Sequence, residues 1–314
     1  MLKFVVRRML WTIPVILLVI LFTFVLVRQI KGNPFRKTER AVPASIQRNL
    51  ERKYHLDQPW YAQYAYYVKG VFTWDLGPSL VLRNQSVNDI VREHFPVSAE
   101  LGGLAILLAI LVGVPLGVLS ALKANTAWDY GAQLFSSVGF AVPDFLEAVL
   151  LIYFFAAKWG HITGLPTSGW DSWQSKVLPV ITLSLTPMTY FARLVRGSML
   201  ETLQQDYVRT ARAKGLRRHR IVGLHVLRNS LIPAVTAAAP LLGYIITGSF
   251  IVEIIFAIPG IGQYYVTSVT GQDYAVVMGL TVLLSVIIII ANMVADIMYG
   301  ILDPRIRDSA TASA

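Results

Sequence analysis

The chain has 314 residues, of which 55% are hydrophobic and only 15% are charged. Soluble domains carry about 25% charged residues, so this composition excludes an ordinary soluble enzyme and indicates a membrane protein. The chain has no cysteine, which excludes disulfides and thiolate chemistry. Its net charge of +10 fits basic loops on the cytoplasmic side of a membrane and an attraction to lipid headgroups, and we predict no nucleic-acid partner.

An uncharged run from Met9 to Val27 is the first predicted span, because a helix of this length crosses a hydrocarbon core of about 30 Å. Lys3, Arg7 and Arg8 precede the run and place the N-terminus in the cytoplasm. The run is too long for the apolar part of a secretory signal, and no small-residue cleavage site precedes its basic flank. We therefore predict that residues 1–28 form a cytoplasmic end and an uncleaved first transmembrane helix.

Residues 29–96 are predicted to form a small folded insertion outside the membrane. Ile46, Leu50 and Tyr54 recur at helical spacing, and an aromatic cluster follows from Trp60 to Trp74. Because Tyr and Trp side chains favour the boundary between lipid and water, we expect this segment to lie against the outer face of the membrane. A belt at this boundary is favoured over an aromatic site for a ligand.

Residues 97–301 are predicted to hold the rest of the membrane domain, after an amphipathic elbow helix at 87–102. A cytoplasmic loop at 197–229 interrupts this domain, and residues 302–314 form a cytoplasmic tail. Together with the first span, five further apolar runs predict an all-α, polytopic protein with six transmembrane helices and both termini in the cytoplasm. These runs are Leu101–Leu122, Gly131–Ala157, Val177–Ala192, Ser230–Val252 and Tyr274–Ala295.

Motifs of enzyme chemistry are absent from the sequence. It contains no G-x-x-x-x-G-K-[ST] phosphate loop, no H-E-x-x-H and no G-x-S-x-G. Its five histidines are scattered, without the spacing of metal ligands. We therefore predict no catalytic residue, no metal and no cofactor in this chain, and a transport role instead. Any ATP chemistry has to come from another subunit.

Ionisable side chains within the predicted spans are functional hypotheses, because a charge in lipid costs at least a few kcal/mol. Prolines that interrupt a span add to the hint, since irregular backbone is tolerated where it faces protein or a water-filled path. For each carboxylate, a purely structural role is the alternative. The candidates for a translocation pathway or gate are Phe140, Pro143, Asp144, Glu147, Glu253 and Pro259.

The loop segment DYVRTARAKGLRRHRIVGLHVLRNSLIP, residues 206–233, has the pattern of two short helices. Asp206 is expected to cap the first helix, and Gly215 to end it in a left-handed conformation. Ala211 and Ala213 are small enough to let another backbone approach closely. We predict a compact, basic knuckle that projects from the bilayer. A solvated loop that is basic only because it is cytoplasmic is the alternative.

The run DYVRTARAKGL, followed by HVLRNSLIP, resembles the cytoplasmic signature loop of ATP-binding-cassette importer permeases in the form used by the peptide/nickel group. Residues 209–211 occupy the positions of the family's E-A-A, and Gly215 that of its glycine. The Leu-Pro element comes late, as LIP at 231–233, a departure typical of the peptide group. The resemblance implies a coupling helix that docks in a groove of an ATPase subunit. Its residues would be Asp206, Tyr207, Val208, Arg209, Thr210, Ala211, Arg212, Ala213, Lys214, Gly215 and Leu216.

Further matches to this family cover nearly the whole chain. The runs WDLGPS and QSVNDIV, GSFIVEIIFAIPGIGQYY and ADIMYGILDPRIR resemble its B-type oligopeptide or dipeptide permeases. The resemblance implies a second homologous permease, two cytoplasmic ATPase subunits that bind ATP and Mg, and an extracytoplasmic peptide-binding protein. It also implies a multi-pass protein of the bacterial inner, or cytoplasmic, membrane.

Several alternatives stay open at the level of the sequence. Members of the same group carry nickel, glutathione or other small solutes. A secondary transporter would show clustered charges within the spans and inverted repeats, and neither is clear. An exporter of the same family is a milder alternative, and a membrane-embedded hydrolase would need the missing motifs.

Overall fold

The computed structural model describes residues 2–29, 57–82 and 85–302. Within these ranges the chain is helical and has no β-strand, apart from one isolated bridge between Pro78 and Ser86. The all-α prediction is therefore confirmed. The helical spacing at Ile46, Leu50 and Tyr54 and the tail from residue 303 lie outside the described residues.

The helices are numbered in chain order, and two of them continue through a π-helical stretch. They are α1 (Leu2–Gln29), α2 (Trp60–Phe72), α3 (Val87–Leu122), α4 (Ala127–Ala141), α5 (Asp144–Leu151, continued as π-helix Ile152–Lys158), α6 (Gly160–Thr163), α7 (Trp173–Leu203), α8 (Asp206–Ala213), α9 (Arg218–Arg220, continued as π-helix Ile221–Leu227 and helix Arg228–Ser230), α10 (Ile232–Gly248), α11 (Phe250–Ile255), α12 (Ile261–Gly271) and α13 (Tyr274–Leu302).

Four described helices are long and apolar enough to cross a membrane, namely α1, α3, α7 and α13. Two bent helix pairs each supply one more span if the pair is counted as a unit. The first pair is α4 with α5, bent by 105°, and the second is α9 with α10, bent by 41°. The chain is thus a multi-pass membrane protein with four to six candidate spans among the residues that the structure describes, and the predicted six is the upper value. The predicted orientation and the domain boundaries stay predictions.

Both bends occur at prolines. Val142 has an extended backbone (φ −83°, ψ 125°) between α4 and α5, because a proline at the next position disfavours the helical conformation. Pro233 lies in the first turn of α10, where its missing N–H breaks no helical bond. Each of these two pairs is therefore a broken helix, and in both cases the break lies beside a proline of the predicted span.

The elbow helix predicted at 87–102 is not a separate element. It continues without a break into α3, which has 36 residues. The residues Val87, Ile90, Leu101 and Ala105 are all buried and recur at helical spacing across the expected boundary. One continuous buried stripe therefore favours one continuous helix.

By contacts the chain divides into two compact units. Among the described residues, one comprises 99–258 and 290–302, and the other comprises 2–29, 57–82, 85–98 and 259–289. Each unit is described by itself.

In the first unit, α3 and α7 pack backbone against backbone. A Cβ added at Gly113 would overlap the carbonyl oxygen of Met188, and one at Gly117 would lie 2.5 Å from that of Ala192. The G-x-x-x-G spacing of these glycines is the arrangement that lets membrane helices approach closely. Because even a methyl group cannot be inserted here, the two helices form a tightly fitted pair.

An ion pair joins the start of α7 to α3 at one end of this pair. The Lys176 ammonium lies 2.5 Å from Oε1 of Glu100. The indole N–H of Trp170 donates to Oε2 of the same carboxylate at 3.2 Å, and Lys176 lies 4.8 Å from the centre of the Trp170 ring. Both oxygens of Glu100 are therefore engaged by groups from the α7 side.

In the second unit, α1, α2 and α13 share a small apolar core. Phe24, Val27, Val277 and Met278 are buried and pack against Tyr64 and Tyr67 of α2. Burial also raises the pKa of the Tyr67 phenol. The remaining aromatic residues of the predicted cluster point outward, since Trp60, Tyr61, Tyr66, Phe72 and Trp74 are all exposed. Their location at a lipid boundary stays a prediction.

Asp273, just before α13, anchors the segment that follows α2 in the same unit. The hydroxyl of Ser79 and the backbone N–H groups of Leu80 and Val81 donate to its carboxylate, the latter two at 3.1 and 3.2 Å. The N–H of Val276 donates to it as well, at 3.3 Å. The carboxylate thus caps α13 and holds a loop, and it is almost fully buried.

Candidate coupling site

The candidate coupling residues form α8 and the turn that follows it. The helix begins one residue earlier than predicted. Gln205, which has an extended backbone, is the N-cap residue, and Asp206 is the first helical residue. Asp206 makes no capping hydrogen bond, so its predicted role as a cap is wrong. Its carboxylate lies 3.6 Å from the Arg209 guanidinium and, in the first turn, has a favourable interaction with the helix dipole.

The end of α8 is fixed by a glycine, as predicted. Gly215 has a φ of +73°, the left-handed conformation that costs glycine least. Its N–H donates to the carbonyl oxygen of Arg212 at 3.0 Å, and the N–H of Leu216 donates to that of Ala211 at 3.3 Å. These two bonds are those of a Schellman motif, so the chain reverses sharply at this point.

One face of α8 packs on the rest of the unit. Val208 and Ala211 are buried against Ala121 of α3, Met199 of α7, and Ile221 and Val226 of α9. We call these last four residues the α8 floor. The small side chain of Ala211 permits this close contact, whereas Ala213 is exposed, so the two alanines have different roles.

The opposite face of α8 is exposed and basic. Arg209, Thr210, Ala213 and Lys214 are exposed on it, and Tyr207 and Arg212, which are also exposed, lie at its edges beside residues of α9 and α3. Two further contacts fix the position of α8: the Tyr207 hydroxyl accepts from the Asn229 amide at 2.8 Å and donates to the carbonyl oxygen of His225 at 3.3 Å. The segment is thus a packed element with one free basic face, which argues against the solvated-loop alternative.

Two open grooves flank this helix. One has a volume of about 430 Å³ and lies between the apolar residues of α3 and α9, with Arg212 and Arg218 beside it. The other has a volume of about 620 Å³ and is lined by Tyr207, His225 and Arg228, among others. Both grooves are large enough to hold a side chain of another protein.

The pathway candidates belong to three segments of the chain. Phe140, Pro143, Asp144 and Glu147 surround the break between α4 and α5, Glu253 lies in α11, and Pro259 belongs to the other unit. The helix α5 packs against both α7 and α11.

The three carboxylates differ in how they are satisfied. Asp144 accepts from the Thr186 hydroxyl at 3.1 Å. Glu253 is fully buried and accepts from the Ser249 hydroxyl at 2.5 Å. Glu147 is buried, but its Oε2 has no hydrogen-bond partner among the described residues. Asp144 and Glu253 therefore each accept a hydrogen bond from a hydroxyl, whereas Glu147 has one buried oxygen without a partner among the described residues.

The aromatic candidate Phe140 is exposed, with 57% of its surface accessible. The Arg193 guanidinium carbon lies 4.3 Å from the centre of its ring, a cation–π contact. Pro259 offers its carbonyl oxygen to Nδ1 of His94 at 2.9 Å, within the second unit. Neither contact identifies a pathway, so these assignments stay predictions.

Sequence reasoning missed an ion pair near the α8 floor, between Asp129 and Arg196. Asp129 follows a short polar loop and has the pattern of an ordinary loop residue, and Arg196 fits the positive-inside rule. The signal that could have found the pair is the length of α7, because a helix that runs on to Leu203 carries Arg196 in its interior.

Comparison with known proteins adds to this geometry. The family described as binding-protein-dependent transport system inner membrane component matches residues 113–308, and the N-terminal family of such membrane components matches residues 1–102. The chain is 45% identical to the dipeptide transport system permease protein DppB of Bacillus subtilis (strain 168), over 98% of each chain. It is 42% identical to the oligopeptide transport system permease protein OppB of Escherichia coli (strain K12), over 98% of this chain and 100% of the other.

A solved structure of the MetNI methionine ABC transporter, in an inward-facing conformation, has a similar fold. The similarity has a TM-score of 0.56 at 18% identity and covers 68% of this chain and 96% of that one. The family resemblance predicted from the signature loop is confirmed. The chain belongs to the family of binding-protein-dependent transport system inner membrane components.

Proposed function

We propose that this chain is the permease subunit of an ATP-binding-cassette importer that takes up dipeptides or oligopeptides. The chain would form half of the translocation path, with a second homologous permease as the other half. Two cytoplasmic ATPase subunits would bind ATP and Mg, and an extracytoplasmic binding protein would deliver the peptide. This chain itself would carry out no bond-making chemistry.

The observation that carries the proposal is the two-sided construction of α8. Its inner face, with Val208 and Ala211, packs on three other helices, whereas its outer face is basic and exposed. A partner that pushes on the outer face therefore pushes on α3, α7 and α9 together. This is the mechanical property that a coupling helix needs if closure of an ATPase is to switch the spans between two arrangements.

The broken spans support a path for solute. Irregular backbone within a membrane is tolerated where it is buried in protein or lines a water-filled space. The 105° bend between α4 and α5 leaves such a break beside Asp144 and Glu147. Contacts along this path would be weak and tolerant of sequence, because release of a solute matters as much as its entry.

The names of the relatives favour peptides over the other solutes of the group. Those reported above are permease proteins of dipeptide and oligopeptide transport systems. Nickel and glutathione remain outcomes of the test, since selectivity would reside chiefly in the external binding protein.

The direct test is uptake together with co-purification. The chain, with an affinity tag, is expressed with its neighbouring genes in cells that lack their own peptide permeases, and uptake of a labelled dipeptide, a labelled tripeptide, labelled glutathione and ⁶³Ni²⁺ is measured. Deletion of the chain is the control.

We expect an ATPase subunit to co-purify with the tagged chain and peptide uptake to depend on the chain. Nickel uptake without peptide uptake would contradict the proposed peptide substrate. Peptide uptake without any associated ATPase would contradict the assignment to ATP-binding-cassette importers.

A further inference from the structure

The carboxylate of Asp129 is a fully buried junction between three helices. The Arg196 guanidinium of α7 binds it in a bidentate manner, with Nε 2.7 Å from Oδ1 and Nη2 2.8 Å from Oδ2. From the end of α3, the Ser120 hydroxyl donates to Oδ1 at 2.5 Å. The backbone N–H of Asn125, in the loop before α4, donates to Oδ2 at 2.9 Å. We call these four residues the Asp129 junction.

The geometry of the junction is demanding. Asp129 has no exposed surface, and a charge in such a place is retained only if it is paired and its oxygens are bonded. The planar fork of an arginine matches a carboxylate in a way that a lysine cannot. Asn125 has a φ of +63°, so the loop accepts a left-handed residue in order to aim its N–H at the carboxylate.

The junction lies beside the α8 floor along two helices at once. Ser120 of the junction directly precedes Ala121 of the floor on α3. Arg196 is one helical turn before Met199 of the floor on α7. A displacement of α8 that moves Ala121 and Met199 therefore reaches the junction within one turn of each helix.

The junction also adds a third helix to a tightly fitted pair. The helices α3 and α7 cannot slide apart easily, because they meet at Gly113 and Gly117 and are joined at their far end by Glu100 and Lys176. The bent pair α4 with α5 is the element that carries the break of the candidate path. Helix α4 packs along α7, and Asp129 fixes the start of α4 to both helices of the α3–α7 pair.

We propose that the Asp129 junction makes α4 follow the α3–α7 pair when α8 is displaced, so that it transmits the movement of α8 to the broken span. Asp129 and Arg196 are thus positioning residues for transport and touch neither peptide nor nucleotide. The inference rests on the proposed function, because it assumes that an ATPase displaces α8.

A merely structural role would have a different consequence. If the ion pair only stabilised the fold, its loss would reduce the amount of folded complex, and peptide uptake would fall in proportion. A transmitting role predicts instead that the complex assembles and hydrolyses ATP, while less peptide is imported for each ATP. The ratio of uptake to hydrolysis separates the two roles.

The experiment uses the complete complex reconstituted in liposomes with its binding protein. The variants are Asp129→Asn, Arg196→Lys and the milder Ser120→Ala, which removes one donor and leaves the ion pair. Lys123→Gln is the matched control, because it removes a positive charge from the same loop at an exposed side chain whose ammonium lies 4.7 Å from the centre of the Trp128 ring and is outside the Asp129 junction. Complex yield, ATP hydrolysis and labelled tripeptide uptake are measured for each variant.

For Asp129→Asn and Arg196→Lys, we expect the ATPase subunits to be retained and uptake per ATP to fall about tenfold, within the range that a residue of a coupling network controls. Ser120→Ala should show a smaller fall in the same direction, and Lys123→Gln should match the wild type. Should Asp129→Asn fail to assemble, Arg196→Lys and Ser120→Ala decide the question. An unchanged ratio of uptake to hydrolysis in those variants that assemble would overturn the inference.

Failure of the proposed function has a separate signature. If the wild-type complex imports no peptide, the proposed function is wrong and the inference falls with it. If the wild type imports peptide and the Asp129→Asn complex imports equally well per ATP, only the inference is wrong.

Discussion

The backbone N–H of Leu216 donates to the carbonyl oxygen of Ala211 at 3.3 Å, across a glycine in the left-handed conformation. Ala211 is at the same time buried on the α8 floor. One residue therefore fixes both the end of α8 and its seat on the membrane helices. The exposed residues of α8 are presented by this arrangement in a fixed orientation.

At position 215, a substitution should be tolerated if the new residue can adopt the left-handed backbone conformation, whatever its size. Nothing lies within 4 Å of a Cβ built at this position, so added size is not the obstacle. Gly215→Val should strain the left-handed backbone by about 1–2 kcal/mol and sharply reduce peptide uptake, since valine is β-branched. Gly215→Asn, the matched control, should retain most of the uptake because asparagine tolerates this conformation. Equal losses in uptake for both variants would contradict the conformational explanation.

The two alanines of α8 should respond differently to enlargement. Ala211→Leu forces a larger side chain against Ala121 and Met199, and we expect the free energy of unfolding to fall by about 1–3 kcal/mol. Ala213→Leu adds the same atoms to an exposed position and should leave the melting temperature unchanged. Thermal melting of the purified variants in detergent checks this, and a similar loss for both would mean that Ala211 is not seated on the floor.

The basic face of α8 should attract its partner through charge. Reversal of two charges, by Arg212→Glu with Lys214→Glu, should reduce recovery of the ATPase subunits in pull-downs about tenfold, roughly 1.4 kcal/mol. The difference from the wild type should shrink as salt is raised, because exposed charges are screened. Lys158→Glu, at an exposed lysine outside the loop, is the control. Unchanged recovery of the ATPase subunits with the double variant would indicate that these charges only set the membrane topology of the loop and do not attract a partner.

Asp273 should be required for the stability of its own unit. The two oxygens of Asp273 accept from four donors, and Asp273→Asn replaces one oxygen by an NH₂ group, so at least one N–H or O–H loses its acceptor, at a cost of about 1–3 kcal/mol. We expect faster proteolysis between α2 and α3 in this variant. Asp171→Asn, an exposed aspartate, should be digested like the wild type. Equal rates for all three proteins would show that the loop is held by other contacts.

Local chemistry explains which features were predictable from the sequence. Apolar runs predicted the spans, because the length of a helix in lipid is set by the thickness of the bilayer. Gly215 predicted the end of α8, since few other residues adopt its backbone conformation. Pro143 was recognised as an interruption, but not as a 105° bend, because a proline breaks a helix without specifying the angle.

Features that depend on distant partners were missed or wrong. Asp206 has the residue type of a cap, yet the chain enters the helix one residue earlier. Asp129 and Arg196 are 67 residues apart, and no periodicity links them, so their pairing becomes visible only when α4 and α7 are packed together. Ala211 and Ala213 are the same residue type in the same short segment, so the sequence does not distinguish them. Only the packing of α8 shows that Ala211 is buried and Ala213 is exposed.

The central claim, that the exposed face of α8 binds an ATPase, can be tested directly because the chain has no native cysteine. A single cysteine is introduced by Ala213→Cys and labelled with a cysteine-specific photo-crosslinker in membranes that hold the complete transporter, with Lys158→Cys as the control. We expect crosslinking from position 213 to capture an ATPase subunit, identified by mass spectrometry, and none from position 158. Absence of an ATPase from the products at 213, or equal capture at both positions, would contradict the account.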